Sequence, residues 1–281
     1  MASGNKIRDT RETMTSSSSR EQALVRVTDA GYTYPTGSAA LSGVTLEVRP
    51  HEVLGIVGPS GCGKSTLLRI IAGLVSPTSG TIAGLDENSD AQLDMAMVFQ
   101  ADTVMPWITV EKNAGMYSQF EPFSVRRRTA SARRARIREL LQMVGLEHCA
   151  RSYPYQLSGG ERRRLAFVTA VAASPRILLL DEPFASVDEP TRVQIHQDVL
   201  EVIHKLRMTV VLVTHDLAEA ATLCDRVLVM TRRPGAVCKE HTIPFGSDRD
   251  VVALRQTSEF LAEYAELWHD LSAQTGRADA P

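Results

Sequence analysis

Long apolar runs are missing from these 281 residues. A membrane-spanning helix needs roughly 18 to 20 consecutive apolar residues. The longest stretches, such as Ile177 to Leu180 and Val210 to Val213, have the length of buried strands. Missing too is an excess of one charge: 31 Lys and Arg face 33 Asp and Glu, a net of -2. No whole-chain field therefore draws the protein to nucleic acid or to an anionic membrane. The four cysteines (Cys62, Cys149, Cys224, Cys238) form no Cys-x-x-Cys pair. Their scatter speaks against a structural zinc site or a disulfide framework and for a reducing cytosol. The first twenty-odd residues have no leader-like apolar stretch; Ser16 to Ser19 and several Thr and Arg predict a disordered tail over 1–22.

What is present is an ordinary globular composition, 43% apolar and 23% charged. Leu24 to Val27 and Val44 to Val48 alternate like half-exposed strands, whereas Val53 to Val57 is continuously apolar, as a strand covered on both faces would be. Thr66 to Leu74 has helical spacing, and Met97 to Phe99 reads as a short strand. From about Pro106 the character turns helical, with Ile137, Leu140, Leu141 and Val144 on one stripe, and Arg162 to Ala173 continues it. Strand signals return at 177–180, 209–213 and 227–230, with a helix over Arg192 to Leu206 between them. The pattern predicts an α/β fold with a parallel-sheet core and a helical insert, without internal repeats.

Gly58-Pro59-Ser60-Gly61-Cys62-Gly63-Lys64-Ser65-Thr66 fits the G-x-x-x-x-G-K-[ST] phosphate-loop pattern, preceded by a buried strand and followed by a helix. The glycines let backbone N–H groups turn inward around phosphate oxygens. Lys64 supplies a point charge at the β- and γ-phosphates, and Ser65 a hydroxyl for Mg²⁺. Ile177 to Glu182 adds the remaining chemistry: Asp181 for Mg²⁺, and Glu182 to orient or deprotonate water.

At Leu157-Ser158-Gly159-Gly160-Glu161 the sequence resembles the ATP-binding cassette (ABC) family, whose signature is Leu-Ser-Gly-Gly and a polar residue. Physically this is a second anion cradle ahead of a helix, although Ser158 with Glu161 three residues on also reads as a plain helix cap. In the family's order, Gln100 follows the 97–99 strand as the Q-loop glutamine, with a place at the metal and in catalysis. Asp188 falls where the D-loop belongs, and His215 resembles the switch histidine at the γ-phosphate. Tyr34 resembles the adenine-stacking aromatic, with Tyr32 as a competitor. The resemblance covers 24 to about 235 and implies an ABC cassette with a helical subdomain over about 101–172 and a small antiparallel β region. Residues 236–281 would form an extension with a helix.

Val104-Met105-Pro106-Trp107 is similar to a segment of nitrate, sulfonate and taurine importer ATPases. Trp107 would face a permease, or else lie in the core. The resemblance implies ATP and Mg²⁺, and a homodimer in which Ser158 to Gly160 of one subunit close over the other's ATP. It further implies separate membrane permease subunits, a solute-binding protein, and a peripheral place at the cytoplasmic face of the membrane. An exporter ATPase, an importer of another solute and a soluble ABC protein acting on ribosomes or DNA stay open as alternatives, the last disfavoured by the single compact cassette.

Four further features carry expectations. His51 stands where the family commonly has Gly, so strain is expected there. Modification of Cys62 is expected to impede nucleotide entry. The seven arginines between Arg126 and Arg138 read as a solvated face or a lipid- or permease-facing one. Leu254, Leu261 and Trp268, with Tyr264 and Leu271 alongside, predict the packing face of a terminal helix.

Overall fold

The computed structural model describes residues 23–84, 95–101, 103–117, 129–246 and 249–275. The expected tail and Arg126 to Arg128 lie outside them. A three-stranded antiparallel sheet, ordered β2-β1-β4, joins β1 (Val25–Thr33), β2 (Ala39–Val48) and β4 (Ser79–Gly84). The main sheet has six strands in the order β5-β6-β7-β3-β8-β9: β5 (Met95–Val98), β6 (Ile177–Asp181), β7 (Thr209–Thr214), β3 (Val53–Val57), β8 (Arg226–Met230) and β9 (Val237–Thr242). The first five run parallel, and β9 pairs antiparallel with β8. The sheet thus continues past residue 235, where the cassette was expected to end.

β3, β6, β7 and β8 are buried at every position, which is why they read as unbroken apolar runs. Alternate residues serve two cores. Leu54, Ile56, Leu179 and Val211 pack with α1 (Lys64–Ile71) and the small sheet. Val53, Val57, Leu178, Leu180, Val210 and Leu212 face the opposite core, which contains residues of α4 (Gly159–Ala172), α5 (Glu189–Leu206) and α6 (Leu217–Leu223).

Between β5 and β6 the described residues hold no strand; α2 (Val110–Ala114), α3 (Ala130–Met143) and α4 make up the insert, with two short 3-10 turns at Glu147–Cys149 and Pro154–Gln156. Ile137, Leu140, Leu141 and Val144 are buried on the expected stripe. On the same helix Arg134 and Arg138 are exposed, and Arg136 pairs with Glu139 at 3.4 Å. Trp107 is 71% exposed and is no core tryptophan.

His51 has φ 60°. Its amide donates to Thr209 Oγ1 at 2.8 Å and its ring meets the Arg207 carbonyl, bonds that offset the cost of the left-handed backbone.

The C-terminal packing face differs from the one expected. Helices α7 (Val251–Leu254) and α8 (Ser258–Thr275) are separate, and α8 packs on α6 and β8. Leu261 and Trp268 are 60% and 57% exposed, while Phe260, Leu267 and Leu271 are buried and Tyr264 partly so. The break after Leu254 interrupts the seven-residue phase. Within α8 the buried residues recur at i, i+4, i+7 and i+11, the spacing of one helix face.

Candidate nucleotide site

Strand register assembles the site. Val57 pairs with Thr214, Asp181 with Val213 and Val98 with Leu180. Gly58, Glu182, His215 and Gln100 therefore all emerge at the same edge of the sheet, the carboxyl ends where open α/β sheets bind ligands.

The loop after β3 wraps the amino end of α1. Gly63 caps that helix with φ 109°, and a Cβ there would lie 2.7 Å from Leu41 and 2.8 Å from the Ala40 carbonyl. Only glycine satisfies both constraints. Lys64 is buried, and its Nζ donates to the carbonyls of Gly58 at 2.8 Å and Pro59 at 3.1 Å. An ammonium held by carbonyls across the loop keeps it open for an anion.

Ser65 Oγ donates to Asp181 Oδ1 at 2.9 Å. Burial pushes the Asp181 carboxyl up, against the lowering effect of the Ser65 hydrogen bond. A hydroxyl and a partly desolvated carboxylate are hard oxygen donors, and the carboxylate gains when a cation shares its site; the pair fits Mg²⁺.

Glu182 adopts φ 46°, uncommon for a residue with a side chain and typical of functional positions. Its amide still bonds the Val213 carbonyl at 2.9 Å. Its Oε2 faces Gln100 Nε2 at 3.4 Å and His215 Nδ1 at 3.1 Å. Three loops after three neighbouring strands thus converge on one carboxylate.

A cavity of about 310 Å³ opens beside them, lined by Tyr34, Ala40, Ser60, Gly61, Gly63, Lys64, Ser65, Thr66, Arg69, Glu182 and Arg233. Tyr34, not Tyr32, lines it, and the Tyr34 hydroxyl lies 2.9 Å from Thr66 Oγ1. Tyr32 supports that ring edge-on at 5.1 Å.

The Cys62 side chain is not in the cavity. It is buried among the core residues behind the loop, where desolvation raises its thiol pKa. Alkylation of the folded protein there is disfavoured.

Ser158, Gly159, Gly160 and Asp188 do not line the cavity. Ser158 caps α4: its Oγ accepts from the Glu161 amide at 3.2 Å, and the Glu161 carboxylate accepts from the Ser158 amide at 2.7 Å. That bond from the Ser158 amide holds the Glu161 carboxyl below its ordinary range. A Cβ on Gly160 would approach Thr191 to 2.6 Å, whereas one on Gly159 would meet open space. Asp188 caps α5 by accepting from the Thr191 amide at 3.2 Å; hydrogen bonding from the Thr191 side chain, and then from that amide, depresses its carboxyl.

Sequence reasoning missed several contributors. Arg233 lies over the Tyr34 ring, 5.3 Å from its centre, with Nε donating to the Ala39 carbonyl at 2.8 Å. The turn that carries it is fastened by Gly235 N to Ala40 O and Ser42 N to Gly235 O. Arg69, one turn along α1, lines the same cavity. Arg163 donates to Ser186 Oγ at 2.9 and 3.2 Å, tying the helix after the signature to the loop before Asp188. In sequence the Arg162-Arg163-Arg164 run reads only as a departure from the family's more mixed residues after the signature, apart from the chemistry; for Arg233 the linear sequence carried no signal.

A phosphate loop, a metal-fitting hydroxyl–carboxylate pair and a buttressed glutamate at the end of a parallel strand define a P-loop ATPase. Residues 41–185 match the ABC transporter family. The chain is 42% identical to an uncharacterized ABC transporter ATP-binding protein of Methanocaldococcus jannaschii, over 79% of this chain and 80% of that one. It is 38% identical to an aliphatic sulfonates import ATP-binding protein of Pseudomonas syringae pv. tomato (81% and 92% covered). A nitrate import ATP-binding protein of Synechocystis sp. is 37% identical (75% and 78%). Among solved structures it resembles a dimeric bacterial ABC transporter cassette, MJ0796, with TM-score 0.67 and 31% identity over 79% of this chain and all of that one. The chain belongs to the ABC transporter family and is an ABC-type ATPase.

Proposed function

We propose that this chain is the ATP-hydrolysing subunit that energises a membrane importer for a small oxyanion or organosulfur solute. The solute class rests on likeness to the sulfonate and nitrate import proteins. Among the described residues no helix is long and apolar enough to cross a membrane. Transport would therefore use separate permease subunits, with a solute-binding protein delivering the cargo. Trp107, exposed close in sequence to Gln100, is suited to the permease side, with this chain lying peripherally at the cytoplasmic face.

The geometry supports the following residue roles. Tyr34 stacks adenine, and amides of Gly58 to Thr66 with Lys64 cradle the phosphates. Ser65, Asp181 and the free oxygen of the Gln100 amide would hold Mg²⁺, which when bound neutralises charge on the β- and γ-phosphate oxygens. Glu182 takes a proton from the attacking water while Gln100 and His215 hold its carboxylate in place.

The carrying observation is that Glu182 stands ready at a cavity to which the signature contributes nothing. The site is then completed in trans: Ser158 to Gly160 of a second copy close over the γ-phosphate, and Asp188 meets the same interface. The solved cassette dimer supports this. Glu182→Gln should keep ATP binding, lower turnover by about 10² to 10⁴-fold, and accumulate as a Mg-ATP-dependent dimer on size exclusion. Near-normal turnover, or a variant that stays monomeric with Mg-ATP, would overturn the assignment.

A further inference from the structure

Away from the nucleotide cavity, one cluster of side chains has no part in the proposed reaction. His148 and Cys149 sit on the 3-10 turn Glu147–Cys149, and Glu161 projects from the first turn of α4. One donor atom from each, an imidazole nitrogen, a sulfur and a carboxylate oxygen, all lie within 4.8 Å of one another. His148 Nε2 is 3.5 Å from Glu161 Oε1. Cys149 Sγ is 3.2 Å from the Leu146 carbonyl, to which the thiol donates.

We propose that His148, Cys149 and Glu161 form a Zn²⁺ site that fastens the signature helix to the turn before it. The donor set is the mixture of nitrogen, sulfur and oxygen that Zn²⁺ accepts, and a soft sulfur disfavours Mg²⁺ and Ca²⁺. Zinc-to-ligand bonds of about 2.0 to 2.3 Å place tetrahedral donors roughly 3.3 to 3.6 Å apart. The observed spread therefore needs only small side-chain adjustment.

Preorganisation favours the site. Glu161 Oε2 is already held by the Ser158 amide at 2.7 Å, leaving Oε1 to the metal. Cys149 is buried and His148 exposed, so the ion sits at the protein boundary with water as its fourth ligand. Binding releases the thiol proton to solvent. The absence of a Cys-x-x-Cys pair does not exclude such a site, because its ligands come from two elements brought together by folding.

The test uses the full-length chain without nucleotide. One equivalent of Co²⁺ should produce an intense near-ultraviolet thiolate-to-cobalt absorption that stoichiometric Zn²⁺ bleaches. Cys149→Ser should abolish this band. His148→Ala changes an exposed side chain that supports no core, and should weaken Zn²⁺ binding at least about 10-fold, the lower bound for disturbing even an outer-shell partner. No band in the wild-type chain, a band that survives Cys149→Ser, or unchanged Zn²⁺ affinity in His148→Ala each overturns the proposal.

Discussion

At the carboxyl ends of β3, β5, β6 and β7 the reactive groups are already bonded to one another: Lys64 to the loop carbonyls, Ser65 to Asp181, and Glu182 to Gln100 and His215. At the amino end of α4 the arrangement differs. Ser158 and Glu161 bond each other, and Gly159 faces open space. The sheet edge carries a half-site whose groups are held in place by bonds within this chain. The helix end carries residues that do not line this chain's own cavity. Helix propensity does not require glycine at that position, since Gly costs about 1 kcal/mol relative to Ala inside a helix. Its use there fits the proposed close approach of a second copy's nucleotide.

The comparison breaks first at Glu182, where the Gln substitution should remove most turnover without loosening the fold. On the opposite side, Gly159→Glu should leave the monomer's stability within about 0.5 kcal/mol, as for an exposed substitution. It should nevertheless depress turnover roughly 10² to 10³-fold, the usual effect of spoiling one transition-state donor, and abolish the ATP-dependent dimer. Gly160→Ala should differ in stability, costing about 1 to 3 kcal/mol in denaturation because a methyl collides with Thr191. Equal behaviour of the two glycines would erase the distinction drawn between them.

A smaller effect separates the two tyrosines. Tyr34→Ala should weaken ATP binding by roughly 5 to 150-fold, from the loss of about 1 to 3 kcal/mol of stacking. Tyr32→Ala should change it much less, because Tyr32 touches only the edge of its neighbour. Isothermal titration with the Glu182→Gln background resolves them; greater sensitivity at Tyr32 would reassign the adenine platform.

Much of the sheet side was legible because its constraints are local. A strand buried on both faces spells an unbroken apolar run, as Val53 to Val57 and Ile177 to Leu180 do. The loop that follows must be glycine-rich to place its amides. The side of Arg233 was not legible: it reaches Tyr34 from 199 positions away through a turn bonded to Ala40 and Ser42. The direction of the Cys62 side chain was not legible either, because a place in the phosphate loop does not fix it; the thiol lies in the core. The C-terminal helix misled for a different reason. Leu254, Leu261 and Trp268 share a seven-residue interval, but a helix break intervenes, and Phe260, Tyr264, Leu267 and Leu271 carry the packing.

The smallest effect expected is a gain. Burial raises the Asp181 carboxyl above the ordinary aspartate range, so the folded chain holds this proton more tightly than the unfolded chain does. As pH climbs past the ordinary aspartate value, the unfolded state ionises first and stability is drawn down until the folded carboxyl also ionises. Asp181→Asn removes that ionisation and keeps an oxygen to accept from Ser65. The variant and the wild type should therefore match most closely in acid, and the variant should become slightly the more stable as pH rises to neutrality, measured by urea denaturation without nucleotide. Its ATPase activity should be lost. A variant that is less stable at neutral pH than in acid, relative to wild type, would mean that the Ser65 bond outweighs desolvation. The sheet-edge half-site would then be relaxed without a cation, and the contrast with the signature end would rest on Gly159 alone.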